Sequence, residues 1–521
     1  MKRQFSISYT SDIHGFFSDT DYSTGKAHAA GLCRCSPLFD RDENALIIDG
    51  GDTLQGSPFM YWYHKQKNGS HYLPAKIMNA AGYRFVTLGN HDFNYGKAVI
   101  EQFVEQLDAV CLCANVDGIP GVQKTAIVTM ENGLRVGITG ITSHYISKWE
   151  PPENIEGIII KDAFSAAAES LLELEKAEVE VKICIYHGGF ENDLVSGERL
   201  DFSDENQGWR ICRELRYDVL LSGHQHRLIE NACIAGTYTC QPPEKAEGFI
   251  RMTVDHFQGE DGKGTLSVHS CFISAGEKPD DKLIRIIRES EEMASRWLDL
   301  PIGYTDIEMK ANDPIRMASG GSLIANFFNQ IQMEASGAQI SVTSLSNNIT
   351  GFAKTLKCRD VLVNYPFPNT LKTILISRKI LRQALERCAE YFTVMPDGTL
   401  AVSEEFLKPI EQHFNYDFFS GIEICMDVRR PLGERVISIR FEGEELEEGK
   451  ELTLCINSYR ASGAGGYSFY RECRAVMELN KEISELIMDY ITQHGKIVVD
   501  QTKWLEVIGS RSNETADSYQ F

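Results

Sequence analysis

The chain has 521 residues, more than one ordinary core holds, so at least two domains are expected. Apolar residues make up 43% and charged residues 24%, a globular composition that excludes disorder and fibrous repeats. Lys+Arg 52 against Asp+Glu 74 gives a formal charge of −22. Such a surface repels phosphate backbones and excludes duplex nucleic acid as a partner, while a local metal site would still admit a small anion.

No apolar run approaches the roughly 18–20 residues that cross a bilayer. The N-terminus, MKRQFSISYTSDIHG, has two basic residues and no apolar signal core, so a cytoplasmic protein with no membrane partner is expected. The 14 cysteines are scattered, several within apolar runs (Cys184 in VKICIY, Cys455 in LTLCIN). They read as small buried thiols in a reducing compartment. The C-x-C pairs Cys33/Cys35 and Cys111/Cys113 have no second cluster at zinc spacing.

In chain order, the candidate strands are FSISYTSD, NALIIDGGD, RFVTLGN, AVCLCAN, LRVGITGIT, VKICIYHGG and DVLLSGHQH, with a helix at Phe164–Glu175. This is an α/β pattern with a layered core. Ligands of open α/β sheets sit outside the carboxyl ends of strands, and several of these strands end in polar runs. FIRMTVDHF and GTLSVHSCFI then flank the turn-rich GEDGKG as a hairpin. The stretch Asp280–Leu298 keeps Leu283, Ile287, Ala294 and Leu298 on one helical face. The expected division is therefore residues 1–275, a helical linker over 276–303, and a second α/β domain over 304–521. In the latter, GSLIANFFNQIQMEA and KILRQALERCAEYF read as helices, VISIRFEG and ELTLCIN as strands. The tail SRSNETADSYQF is polar and expected to fray.

Five segments concentrate metal-ligating chemistry: SDIHG (Asp12, His14), DGGDT (Asp52), GNHDF (Asn90, His91, Asp92), YHGG (His187) and SGHQH (His224, His226). In an extended strand end, D-x-H and H-x-H would each place two side chains on one side. Carboxylate, imidazole and amide oxygen suit Zn²⁺, Mn²⁺, Fe or Mg²⁺, and a single carboxylate such as Asp52 can bridge two cations. Taken singly, each histidine is more simply a satisfied core or loop residue. All five segments in this order point to a dinuclear metal site.

With these segments the sequence resembles the calcineurin-like metallophosphoesterases from about residue 5 to 230. The resemblance implies a first metal on Asp12, His14, Asp52 and His226, and a second on Asp52, Asn90, His187 and His224. It also implies that His91 faces the phosphoryl group and its leaving oxygen. Two divalent cations then neutralise an anionic ester and make a water more acidic. Many nucleotidase relatives carry G-N-H-E-F-D. Here the residue three after the histidine is Asn94, which can hold the ring by a hydrogen bond without raising its basicity. Asp92 is the other candidate for orienting His91.

Four further segments, GSLIANFFNQIQMEASGAQIS, NYPFPNTLKTILISRKILRQALERCAEYF, NYDFFSGIEICMDVRRPLGERV and INSYRASGAGGY, resemble the C-terminal domain of the 5′-nucleotidase family. NYPFPNTL, NYDFFSG and NSYRASG look most like its 2′,3′-cyclic-nucleotide 2′-phosphodiesterase/3′-nucleotidase branch. SLSNNITGF lacks the phosphate-binding arginine of 5′-nucleotidases, and SGAGGY has Gly465 where they carry an aspartate. The resemblance implies a base sandwiched by Tyr416 and Tyr459, with Asn347 and Asn348 as neutral donors to phosphate or sugar. A small-molecule nucleotide would bridge metals in one domain and the base site in the other, with the linker helix as hinge. The expected activity is hydrolysis of nucleoside 2′,3′-cyclic phosphates and 3′-nucleotides. A 5′-nucleotidase or UDP-sugar hydrolase, and a non-catalytic nucleotide-binding protein, are the alternatives. Metal identity and oligomeric state are not encoded in these motifs.

Overall fold

The computed structural model describes residues 2–22, 24–66, 71–199, 204–259, 264–367, 369–408 and 411–509. The four central residues of GEDGKG, 260–263, and the tail from 510 lie outside them. The chain divides into two units, Met1–Arg296 and Trp297–Phe521. Among the described residues no helix is long and apolar enough to cross a membrane.

The first unit contains two six-stranded sheets. One runs Gly264–Ser274, Gly248–Gln258, Lys2–Thr10, Ala45–Asp49, Phe85–Val86, Val110–Cys111; the other runs Ile229–Ile234, Thr237–Gln241, Val219–Ser222, Val181–His187, Arg135–Thr142, Thr125–Thr129. Lys2–Thr10 pairs parallel with Ala45–Asp49, and Val181–His187 pairs parallel with both Arg135–Thr142 and Val219–Ser222. Ile7, Leu46 and Val254 of the first sheet share one core with Ile138, Ile183 and Leu221 of the second. The period-two alternation of a strand, buried on both faces, explains why the ICIY run, Ile183 to Tyr186, is apolar throughout. Ile183 and Ile185 enter that core, while Cys184 and Tyr186 enter another beneath the helix Ala163–Lys176. That helix starts where the Asp162 carboxylate accepts the Ser165 N–H at 2.8 Å, and it buries Ala163, Ala166, Ala167, Ser170, Leu171 and Leu174. Each fully buried Leu or Ile contributes roughly 1.5–3 kcal/mol, so a layer lined on both faces tolerates polar loops at its ends.

RFVTLGN and AVCLCAN are shorter strands than the sequence predicts, keeping only Phe85–Val86 and Val110–Cys111. The chain leaves the sheet after Val86 because Gly89 packs against Asp52, where a Cβ would overlap the Asp52 carboxylate. The helix Asp281–Leu298 buries Leu283, Ile287 and Ala294.

The second unit has a five-stranded mixed sheet in the order Asp417–Ser420, Ile340–Ser344, Glu451–Asn457, Thr370–Ser377, Ala475–Glu482. A four-stranded sheet holds Glu444–Glu445, Val436–Phe441, Glu423–Asp427 and Leu505–Ile508. The helices Leu323–Ser336 and Arg378–Ala389 are capped by the Ser322 and Ser377 hydroxyls.

Candidate metal centre

The polar segments of the first unit leave their strands at the carboxyl ends and meet. Asp12, His14 and His226 form one group whose ligand atoms all lie within 4.8 Å of one another; Asp52, His187 and His224 form a second. The groups adjoin, since His187 Nε2 lies 3.1 Å from Asp52 Oδ2 and 3.9 Å from Asp12 Oδ1. Asn90 joins the second group, its Oδ1 2.8 Å from His224 Nδ1. His91 borders both: its backbone N–H donates to Asp52 Oδ1 at 2.7 Å, and its ring centroid is 5.4 Å from that of His14.

The expected strand-end geometry is not how this happens. Asp12, His14, Asp52, His224 and His226 all have positive φ, between 52° and 73°. They are half of the ten non-glycine residues in that region among the described residues. The D-x-H and H-x-H pairs therefore converge by tight left-handed turns, not by the two-residue repeat of an extended strand. Such backbone costs roughly 1–3 kcal/mol per residue and persists only where the surroundings fix it. Here the loops are laced together: Asp12 N–H donates to Gly51 O, His14 N–H to Asp52 O and Ser57 N–H to His14 O, at 2.8–2.9 Å. Asp92 supplies the rest. Its carboxylate accepts from the N–H groups of Gly89, Asp52, Thr53 and Leu54 at 2.8–3.0 Å. It braces the Asp52 loop and does not orient His91.

Every histidine of the cluster has one nitrogen tied to an acceptor and the other turned inward. Nδ1–H of His14 donates to Gln55 O at 2.8 Å, and that of His187 to Gly50 O at 2.7 Å. His226 Nδ1 faces Glu244 Oε2 at 3.1 Å, and His224 Nε2 faces Glu205 Oε1 at 3.0 Å. These outer bonds fix the ring orientations and turn His14 Nε2, His187 Nε2, His226 Nε2 and His224 Nδ1 inward, where each would offer a lone pair to a cation. His14 Nε2 and His226 Nε2 then face each other at 3.1 Å. Asp52 Oδ2 and His187 Nε2 are buried with no hydrogen-bond partner. Ring nitrogens that face each other, and a buried carboxylate oxygen with no hydrogen-bond partner, fit a cation.

The electrostatics agree. Burial disfavours a charged His187, but the Asp52 and Asp12 carboxylates overcome it and raise the imidazole to about 10. Burial likewise opposes ionisation of Asp12, yet His187 and His226 hold it down at about 2. His14, whose burial outweighs the nearby carboxylates, is lowered to about 4 and stays neutral. Without a metal, protons on histidine balance the buried carboxylates.

Sequence reasoning missed Glu205, Glu244, Glu150 and Trp149. Trp149 stacks on His224 with centroids 5.7 Å apart. The Asn94 side chain bonds His91 Nδ1 through Oδ1 at 2.9 Å, and its Nδ2 donates to Glu150 Oε1. These four partners lie 18 to 75 residues from the side chains they touch, so no local spacing marks them.

In the second unit the structure departs from the expected clamp. Tyr416 is 2% exposed, its hydroxyl donates to Ala318 O at 2.8 Å, and the rings of Tyr391 and Phe418 lie 4.9 Å from its own. It packs as a core aromatic among these rings. Tyr459 is 42% exposed, on the short helix Ser458–Ala461. Asn347 shares with Tyr416 the lining of a cavity of about 90 Å³, and its amide donates to Glu411 O at 2.7 Å; Asn348 is exposed. Gly465 is glycine for a reason: a Cβ there would overlap Arg460 Nη1 and Asn415 Oδ1. Arg460 lies beneath, donating to Asp417, Asn415, Ala464 and Phe414.

Known proteins with this organisation are similar along nearly the whole chain. Residues 5–228 match the calcineurin-like phosphoesterase family and residues 301–472 the 5′-nucleotidase C-terminal domain. The trifunctional nucleotide phosphoesterase protein YfkN of Bacillus subtilis is 24% identical over 94% of this chain, which spans only 38% of that relative's length. A 2′,3′-cyclic-nucleotide 2′-phosphodiesterase/3′-nucleotidase of Haemophilus influenzae is 23% identical over 87% of this chain and 79% of its own. A Staphylococcus aureus crystal structure, provisionally assigned as a 5′-nucleotidase and solved with alpha-ketoglutarate, superposes with a TM-score of 0.85 at 29% identity. It covers 97% of this chain and 100% of that one. The chain thus belongs to the family that joins a calcineurin-like phosphoesterase domain to a 5′-nucleotidase C-terminal domain, and it is a phosphoric ester hydrolase.

Proposed function

We propose that this enzyme opens nucleoside 2′,3′-cyclic phosphates and removes the 3′-phosphate. The observation that carries the reading is the pair of adjoining donor groups with His91 at their edge. Asp12, His14, Asp52 and His226 would hold one divalent cation, and Asp52, Asn90, His187 and His224 a second. When bound, the cations supply positive charge to the phosphoryl oxygens and make a water acidic enough to attack near neutral pH. The chain's own residues do the rest. Asp12 stays ionised through its histidine neighbours, and the outer carboxylates Glu205 and Glu244 hold His224 and His226 in register. His91, half-buried and tethered at Nδ1, offers Nε2 to the leaving oxygen as proton donor. Tyr459 is the base-stacking residue of this reading, with Asn347 and Asn348 as neutral polar contacts. All 14 cysteines are free thiols, which supports a reducing, cytoplasmic setting.

The likeness to the Staphylococcus aureus protein favours a second reading, a 5′-nucleotidase on the same scaffold. Turnover of 2′,3′-cyclic AMP, 3′-AMP, 5′-AMP and UDP-glucose with Mn²⁺, Zn²⁺ or Mg²⁺ separates the two. The first reading expects the cyclic ester and 3′-AMP to lead; faster hydrolysis of 5′-AMP overturns it.

A further inference from the structure

The function of Glu150 can be read from the direction of its hydrogen bonds. An amide side chain such as Asn94 can face either way, and its orientation decides what it offers a neighbour. A carboxylate only accepts, so the bond to Glu150 Oε1 obliges Asn94 to present Nδ2 there. Oδ1 is then the atom left for His91 Nδ1, at 2.9 Å. Because Oδ1 only accepts, His91 must carry a proton on Nδ1. Asn154 locks the arrangement, its Nδ2 donating to Glu150 Oε2 at 3.0 Å and to Asn94 O at 2.9 Å. The short helix Ile146–Trp149 delivers both groups: Trp149 stacks on His224, and Glu150, the next residue, reaches Asn94.

We propose that Glu150 is a positioning residue that acts through Asn94, fixing the His91 tautomer and the orientation of its ring. The inference rests on the reading of this site as a phosphohydrolase with His91 as proton donor. In that reaction the water oxygen forms the new P–O bond. The electron pair of the broken bond goes to the leaving oxygen, which takes the proton from His91 Nε2. With the proton fixed on Nδ1, Nε2 is always the nitrogen that gains and gives the mobile one.

The test is Glu150→Gln. Glutamine can donate as well as accept, so Asn94 is free to turn and the ring loses its imposed tautomer. Turnover of 3′-AMP, whose alkoxide needs a proton, should fall about 10–100-fold in kcat with little change in KM. Turnover of p-nitrophenyl phosphate, whose phenolate leaves unprotonated, should change less than about twofold. Asn94→Asp in the Glu150→Gln background should restore 3′-AMP hydrolysis, since a carboxylate beside Nδ1 accepts in either orientation. Equal slowing of both esters, no slowing of either, or no rescue overturns the assignment. Ring ¹⁵N resonances of the metal-free protein, with His91 identified by its loss in His91→Gln, give a readout independent of turnover. Wild type and the Asn94→Asp/Glu150→Gln variant should hold the proton on Nδ1, and Glu150→Gln should show a mixture. A proton that stays wholly on Nδ1 in Glu150→Gln overturns the relay even for an active enzyme. Absence of nucleotide hydrolysis in wild type would instead remove the functional reading and leave the tautomer to decide the relay.

Discussion

Two buried clusters of charge, one in each unit, are neutralised in different ways. In the second unit Asp417 meets Arg460 at 3.0 Å, and the guanidinium spends its remaining donors on Asn415, Ala464 and Phe414. In the first unit Asp12 and Asp52 have no arginine or lysine partner among the described residues; imidazoles face them, His187 Nε2 lying 3.1 Å from Asp52 Oδ2. A cluster balanced by a covalently attached cation is structure. One balanced by protons that a metal can displace is a site.

The largest effect should come from Asp52→Ala. It removes the carboxylate that adjoins both donor groups, so kcat should fall by more than about 10³-fold, beyond the loss of one oriented donor. Metal content by elemental analysis should fall with it. Retention of two metals per chain would show that Asp52 is not shared. Arg460→Ala is the opposite case. It leaves Asp417 buried and unpaired, which should cost about 3–5 kcal/mol in denaturant unfolding while metal content stays at the wild-type level. Loss of metal without loss of stability would erase the distinction between the clusters.

A graded effect is expected at the outer partners. Glu244→Gln keeps the shape beside His226 but removes the charge. Metal affinity should weaken about 10–100-fold, as measured by competition with a chelator. The pH dependence follows from the same protons. In the metal-free protein the folded-state value of His187, about 10, lies above its unfolded value of roughly 6.5. Its protonation therefore stabilises the fold fully below about pH 6.5, and that contribution is lost as pH rises towards 10. A bound metal takes the place of the proton, so the rise in Tm on adding Mn²⁺ should be larger at about pH 9 than at about pH 6. A rise that shrinks over this interval would place the protons elsewhere.

The same contrast explains what could be read in the sequence. Asp12, His14, Asp52, Asn90, His187, His224 and His226 stand in short polar segments that follow apolar strands, and the structure gathers them. The left-handed turns that do so were not legible, because positive φ at Asp12 or His226 is imposed by tertiary hydrogen bonds and not by residue type. Glu150, Glu205 and Glu244 are ordinary glutamates until folding brings them to Asn94, His224 and His226. Tyr416 erred in the other direction: a motif can resemble a ligand loop while its aromatic belongs to the core, and burial is a property of the packed sheet.

The smallest effects separate the two tyrosines of the second unit. Tyr416→Phe deletes only the hydroxyl that donates to Ala318 O. It should lower stability by about 1 kcal/mol and leave KM for nucleotides unchanged, because the ring is enclosed by Tyr391 and Phe418. Tyr459→Ala removes a 42% exposed ring and should leave stability nearly unchanged. If that ring stacks on the base, KM should rise by a factor equivalent to about 1–3 kcal/mol, with kcat little altered. The opposite pattern, a KM that responds to Tyr416 and not to Tyr459, would mean that substrate enters the Tyr416 core by rearranging it. The helix Ser458–Ala461 would then be a cap that positions Arg460, through the Asn457 side chain that accepts its N–H at 2.7 Å, and nothing more.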